Sequence, residues 1–296
     1  MKSFAGKVAV ITGGGSGFGT AFAKQAHSLG MRIVLADVQA DALDQQVNAL
    51  RDGGAEVIGV RCDVSSDADV ARLAQAAHEQ FGAVNLLFNN AGVAGTGGYL
   101  WENSEADWRW TLGVNLIGIA NGIRHFVPPM IADGLDADSG HIVNTASIAG
   151  WLCAPLLGIY SASKAAAVSV SETLYHDLRL AGSRMGVSVL CPAFVPTAIF
   201  ASERNRPAEL ANAGAPTASQ RLARASGEKA VAGGKLTADE IAAQTFDAIR
   251  ASRFFVFTHP QIMPMVRARL DAALAGGEPA DPYAGRPGAR PRPTDQ

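Results

Sequence analysis

Cysteine is scarce. The chain of 296 residues has three, Cys62, Cys153 and Cys191. None forms a C-x-x-C pair and an odd number cannot pair fully, so a disulfide framework is not expected and a reducing compartment is. The six histidines are scattered, with no H-x-x-x-H or H-E-x-x-H spacing, so no metal site is expected. Uninterrupted apolar runs reach nowhere near the roughly 18 residues that a membrane span needs. No apolar signal region follows Lys2, which points to a cytoplasmic protein. Charge of one sign is also missing. The formal net charge is −2, which argues against nucleic acid as a partner. What the chain does have is apolar material. Hydrophobic residues make up 48% and charged residues 18%, enough for a sizeable core and incompatible with global disorder.

Short apolar runs alternate with longer amphipathic stretches. Residues 7–12 (KVAVIT), 31–36 (MRIVLA), 56–61 and 84–88 (VNLLF) read as strands, and residues 18–29, 40–52 and 67–81 as the helices between them. Residues 105–131 read as one long helix, although Gly113, Gly118 and Gly122 weaken its propensity. Strands at 141–146, 187–191 and 253–257 and helices at 160–181 and 238–251 complete the pattern. It predicts an α/β fold, with a doubly wound parallel sheet of seven strands covered by helices on both faces. One domain over residues 1–275 holds all of it. Residues 196–235 carry no strand and are expected to form a substrate-binding loop or lid. Residues 276–296 contain five prolines and are expected to be a loose tail.

The first strand runs into TGGGSGFG, residues 12–19. Glycines let backbone N–H groups approach a pyrophosphate, and the helix that follows adds its N-terminal partial charge. The spacing is T-G-x-x-x-G-x-G rather than G-x-G-x-x-G. Asp37 ends the second strand, 18 residues beyond Gly19. It can accept hydrogen bonds from adenosine ribose hydroxyls and would repel a 2′-phosphate, or it can cap the next helix. Neither Ser16 nor Val38 supplies a cation beside it, so NAD is expected over NADP.

Tyr160 and Lys164 are i and i+4 and share a helix face. A nearby ammonium favours a phenolate and lowers the pKa of the phenol, so Tyr160 can exchange a proton with an alcohol or ketone oxygen. Ser147, at the end of the fifth strand, lies at the carboxyl edge of the sheet, where such folds bind ligands. Its hydroxyl can hold the substrate oxygen.

Taken in order, TGGGSGFG, Cys62-Asp63-Val64, Asn89-Asn90-Ala91-Gly92, Asn115, Ser147 and Tyr160-x-x-x-Lys164 resemble the motifs of the short-chain dehydrogenase/reductase family over about residues 5–258. The resemblance implies a single-domain Rossmann fold and catalytic roles for Asn115, Ser147, Tyr160 and Lys164. Lys164 would also bind the nicotinamide ribose, and Asn115 would hold a water that completes a proton relay. The residues implied for the cofactor are Thr12, Gly13, Ser16, Gly17, Phe18, Gly19, Asp37, Val38, Asp63, Val64, Asn90, Ala91, Gly92, Tyr160, Lys164, Pro192, Val195 and Thr197. Ala193 stands where the family usually has glycine.

A weaker similarity, to bacterial members acting on bulky or aryl alcohols, suggests a roomy pocket. Val93, Ala94, Ile148, Trp151, Leu152, Cys153, Leu156, Phe194, Val195, Ile199 and Phe200 are the expected apolar lining. The expected substrate is a hydrophobic or aromatic secondary alcohol or ketone. Reduction of carrier- or CoA-bound 3-oxoacyl groups and non-catalytic dinucleotide sensing are the alternatives. A homo-oligomer, dimer or tetramer, is expected through the two long helices, with Ala162, Ala165, Ala166, Ala167 and Ser169 allowing close packing.

Overall fold

A computed structural model describes residues 1–284 and 290–291. Seven parallel strands form one sheet in the order β3-β2-β1-β4-β5-β6-β7. They are β1 (Val8–Thr12), β2 (Arg32–Asp37), β3 (Val57–Arg61), β4 (Leu86–Asn89), β5 (His141–Thr145), β6 (Gly186–Cys191) and β7 (Phe255–Phe257). Every residue of β1, β4, β5 and β6 is buried, as expected of central parallel strands covered on both faces. Side chains alternate across the sheet. Ala9 and Ile11 enter one core with Phe22, Phe88 and Phe246, and Val8 and Val10 enter the other with Phe126, Met130 and Leu174. Phe22 and Phe88 stack with centroids 4.5 Å apart.

The helices are α1 (Gly17–Ser28), α2 (Ala40–Asp52), α3 (Asp67–Phe81), α4 (Glu105–Leu112), α5 (Gly118–Ala132), α6 (Gly158–Leu180), α7 (Ala218–Ala232), α8 (Ala238–Arg250) and α9 (Met263–Leu274). No helix among the described residues is long and apolar enough to cross a membrane. The order of elements and the sheet agree with the sequence pattern, with shifts of one or two residues at most ends.

Three expectations are corrected. The long helix at 105–131 is broken by a π-helical turn, Gly113–Ile117, between α4 and α5. The wider turn carries Asn115, whose side chain bonds the backbone of Val93. The glycines there serve close packing. A Cβ on Gly118 would lie 2.7 Å from Val64 Cγ2, and one on Gly122 would lie 2.0 Å from Asn89 Oδ1. Second, residues 196–235 are not a bare loop. They contain 3₁₀ turns at Ala198–Asn205 and Ala208–Leu210, then α7, which opens with a reciprocal capping box between Thr217 and Gln220. The buried face of α7 is made of small residues, Ser219, Ala223, Gly227 and then Val231, so no large-apolar stripe advertises it. Third, the chain after residue 276 is not loose throughout. Pro279–Asp281, Pro282 and Ala284 lie against α9 and the loop after β5. Residues 285–289 and 292–296, the rest of the expected tail, lie outside the described residues.

The Gly122 contact gives a direct test. Asn89 donates from Nδ2 to Asn144 at 2.8 Å in the buried sheet, so it has little room to yield. Gly122→Val should lower stability to urea by about 2–3 kcal/mol; an unaltered midpoint would show that α5 can back away from β4.

Candidate active site

The strand order reverses between β1 and β4, the switch point at which ligands enter sheets of this type. Thr12 holds that point together. Its Oγ1 accepts from the N–H groups of Asn90 (2.9 Å) and Ala91 (3.0 Å) and donates to Phe88 O at 3.1 Å. Asn90 Nδ2 returns a bond to Thr12 O at 2.9 Å. The glycine turn then folds back onto this join. Gly13 has φ +67°, and a Cβ there would lie 2.9 Å from Ala91 Cα; a Cβ on Gly19 would lie 2.0 Å from Gly13 O.

A cleft of about 390 Å³ opens here. Its glycine-lined end is walled by Gly13, Ser16, Gly17, Phe18, Asp37, Val38, Asp63, Val64, Asn90, Ala91 and Gly92. Pro192, Val195 and Thr197, after β6, complete that end, while Ser147, Tyr160 and Lys164 stand in the middle. Two expected cofactor residues are not on the wall. Thr12 is consumed by the β1–β4 join, and Gly19 permits the turn to close. The glycine cradle, already tight against neighbouring backbone, and the carboxylate of Asp37 at its far end fit a dinucleotide.

Asp37 does two things at once. One carboxylate oxygen accepts from Gly15 N and the other from Gln39 N, each at 2.9 Å. It therefore steadies both the glycine turn and the entry to α2, and remains on the cleft wall. Arg61 was missed as a neighbouring cation. It is paired with Asp37 across β2 and β3, and its Nε donates to Val38 O at 3.4 Å. The signal lay in strand register, which composition does not reveal.

Tyr160 and Lys164 occupy the first turns of α6. The loop delivering them is strained, because Leu156 has φ +67°, a conformation rare for a branched residue. Its carbonyl accepts from Gly98 N at 3.0 Å. Lys164 is 3% exposed; its Nζ donates to Thr145 O at 2.8 Å and lies 5.7 Å from the centre of the Tyr160 ring. Burial pushes its ammonium down to about 8. Burial also pushes the Tyr160 phenol above its ordinary value, while a hydrogen bond with Ser147 pulls it back. The expected depression of Tyr160 by Lys164 is thus outweighed by desolvation in the protein alone. Ser147 caps the turn Ile148–Gly150 by accepting from Ala149 N at 3.1 Å.

Asn115 is fully buried and does not reach the cleft wall. It accepts from Val93 N at 2.8 Å and donates to Val93 O and Ser163 Oγ, both at 3.0 Å. Ser163 in turn donates to Tyr160 O at 2.7 Å. Asn115 therefore ties the loop after β4 to the helix of Tyr160 and Lys164. Ala193 takes no positive φ among the described residues, so its turn does not need glycine; its N–H donates to the buried His259 at 3.3 Å.

Of the expected apolar lining, Val93, Ala94, Ile148, Leu152, Phe194, Val195, Ile199 and Phe200 face the cleft. Trp151 does not; it packs on Phe255 and Phe257. Cys153 and Leu156 also lie off this wall. Sequence reasoning missed Trp110, on α4, and Leu210, Ile262, Met265 and Tyr283, which come from segments far from any motif. Arg206 is a further surprise. Its side chain is 3% exposed and bonds the fully buried Asp107 at 2.8 Å, pinning the middle of the 196–235 segment to α4. Among the described residues, no group of His, Cys, Asp and Glu gathers as a metal site.

Fold and site together define a dinucleotide-dependent oxidoreductase, and comparison makes the class specific. The family model for short chain dehydrogenases matches residues 7–208. The chain belongs to the short-chain dehydrogenase/reductase family of NAD(P)-dependent oxidoreductases. A crystal structure of a family member from Burkholderia phymatum in complex with NAD superposes with a TM-score of 0.93 at 55% identity, covering 95% of this chain and 99% of that one. A CLA biosynthesis dehydrogenase/reductase from Lactiplantibacillus plantarum is 35% identical, over 94% of this chain and 97% of its own length. A C alpha-dehydrogenase from Sphingobium sp. (strain NBRC 103272 / SYK-6) is 40% identical, over 72% of this chain and 68% of its own.

The buried cation has a measurable consequence. Between about 8 and its ordinary 10.5, Lys164 is deprotonated in the fold and still protonated in the unfolded chain, so its contribution to stability rises with pH across that window. Lys164→Met removes the penalty, and its stability advantage over wild type in urea should shrink by roughly 2 kcal/mol between about pH 8 and pH 9.5. A difference that does not vary with pH would mean that the ammonium is not desolvated.

Proposed function

We propose that the protein oxidises a hydrophobic or aromatic secondary alcohol, or reduces the corresponding ketone, with NAD as the preferred cofactor. The observation that carries this reading is the convergence of Ser147, Tyr160 and Lys164 in one cleft that is apolar on one side and glycine-lined on the other. Gly13, Ser16, Gly17 and Phe18 would hold the pyrophosphate, Asp37 and Val38 the adenosine ribose, and Asp63 and Val64 the adenine. Asn90, Ala91 and Gly92 would follow the cofactor to the nicotinamide, with Pro192, Val195 and Thr197 at the carboxamide. The bound dinucleotide supplies a hydride acceptor or donor and, when oxidised, a positive charge near Tyr160.

The protein's own residues manage the proton. Ser147 holds the substrate oxygen by its hydroxyl. Tyr160 takes the alcohol proton at its phenolic oxygen in oxidation and returns it in reduction. Its raised pKa keeps the unassisted phenol protonated at neutral pH, so it holds a proton to give in reduction and must be turned to phenolate before it can take one in oxidation. Lys164 would orient the nicotinamide ribose and, as a cation, favour the phenolate. Asn115 positions Val93 and α6.

The C alpha-dehydrogenase relative supports a dehydrogenation, and the apolar lining of the cleft supports a bulky apolar alcohol. An acidic acyl carrier or CoA would call for free cations at the cleft mouth. Arg109 is instead engaged by Glu105 at 2.8 Å, and Arg204 by its own backbone at 2.7 Å. Assembly as a homo-oligomer would use the outer face of α6, where Ala162, Ala165 and Ser169 are exposed; Ala167 is buried within the chain and belongs to the core instead.

Two substitutions test the assignment. Tyr160→Phe should reduce turnover of aryl secondary alcohols at least a thousandfold, within the range expected for losing a general acid–base, with NADH affinity within about twofold of wild type. Retained turnover would remove Tyr160 from its role. Asp37→Ser should raise kcat/KM with NADP by an order of magnitude or more, about 1.4 kcal/mol, because the repulsion of a 2′-phosphate goes. An unaltered NAD to NADP ratio would assign the preference elsewhere.

A further inference from the structure

The far end of the cleft is closed by a segment that no motif of the sequence singles out. Pro282, Tyr283, Ile262 and Met265 share the cavity wall with Tyr160. The same short segment continues as a strap. Pro279, Asp281 and Ala284 border a smaller hollow whose other side is Leu152, Cys153 and α9.

The strap has its own reasons to stay in place. Asp281 turns it, accepting from Tyr283 N at 3.0 Å, while its backbone carbonyl accepts from Ala284 N at 3.1 Å. Arg290 pairs with the Asp281 carboxylate. Pro279 and Pro282 lower the entropy lost on ordering. The surface beneath is tied to the catalytic loop, since Arg269 on α9 donates to Trp151 O at 3.2 Å, four residues past Ser147. Tyr283 is half-buried, and burial pushes its phenol above the ordinary range.

We propose that Tyr283 is a specificity-determining residue, whose ring forms the outer wall of the substrate compartment and selects alcohols carrying a large, flat, apolar substituent. The physical basis is the company it keeps. A thioether and an aromatic ring flanking an apolar gap gain from an aromatic guest through sulfur–aromatic and ring–ring contact. A small aliphatic alcohol offers no ring for such contacts. The proposal rests on the alcohol dehydrogenase reading above and adds which part of the substrate is read, and by what.

The test compares 1-(2-naphthyl)ethanol with 2-butanol at saturating NAD. Tyr283→Ala, and separately a chain ending at Gly277, should lower the ratio of their kcat/KM values at least tenfold, chiefly through KM of the naphthyl alcohol. Tyr283→Phe keeps the ring and should hold the ratio within about twofold. Thermal melting and NADH affinity report whether each variant is folded. A ratio that does not change in Tyr283→Ala, or that falls equally in Tyr283→Phe, overturns the proposal. Should the wild-type enzyme turn over neither alcohol, the alcohol dehydrogenase reading fails by itself. The wall is then read by quenching of tryptophan fluorescence as 1-(2-naphthyl)ethanol binds the NADH complex. A dissociation constant at least tenfold weaker in Tyr283→Ala supports the proposal, and an equal constant overturns it.

Discussion

An ammonium group placed almost out of reach of water is costly unless something nearby repays its lost hydration. In this protein the repayment is a single backbone carbonyl, Thr145 O, 2.8 Å from Lys164 Nζ. The rest of the active site is arranged to keep that contact. Thr145 ends β5, so the position of the cation is set by the sheet itself. Gly150 lets the turn after Ser147 press onto α6, where a Cβ would lie 2.7 Å from the Lys164 carbonyl. The loop after β4 packs on the same cation, and the place a Cβ on Gly92 would take lies in ordinary contact with Asn115 and Lys164 Nζ, at 3.4 and 3.5 Å. Ser147, Tyr160 and Lys164 are therefore held by one packed junction of β5, its following turn, and α6.

The cleft exists because of a second junction. β1 and β4 are neighbours at the point where the sheet reverses direction, and Thr12 joins their ends through one hydroxyl. The glycine turn leaves from one side of that join and the loop of Asn90 to Gly92 from the other. Asn115 in its π-helical turn reaches across from α4 and α5 and bonds both to that loop and, through Ser163, to α6. The glycine-lined side of the cleft and the side of Tyr160 and Lys164 are thus coupled by short bonded paths.

Much of this was legible in the sequence, for identifiable reasons. Buried parallel strands leave continuous apolar runs, so all seven were found. The glycine turn, Asp37, Ser147 and the Tyr160–Lys164 pair are local in sequence, and their chemistry depends on spacing along one element. What escaped depends on contacts between distant segments. Thr12 and Gly19 sit in the motif, and their further work depends on distant contacts: one joins strands and the other relieves a backbone approach. Trp151 reads as lining because it follows Ser147, yet β7 draws it under the sheet. Helix α7 buries alanine, serine and glycine, so the hydrophobic pattern was silent; the Thr217–Gln220 capping box was the one local signal. The ion pair of Asp107 with Arg206, and the strand register that sets Arg61 beside Asp37, span gaps of many residues that no periodicity predicts. Pro282 and Tyr283 come from a proline-rich stretch whose composition resembles a loose tail.

The central claim is that desolvation holds the Tyr160 phenol above its ordinary pKa in the protein alone, and that positive charge brought to the cleft reverses this. Ultraviolet titration of phenolate absorbance tests it, because the chain has only four tyrosines and the difference between wild type and Tyr160→Phe isolates one of them. The account predicts a transition above the ordinary value of about 10 without cofactor, moving well below it when NAD in its oxidised form is bound. A transition that is already low in the protein alone, or one that NAD does not move, would contradict it.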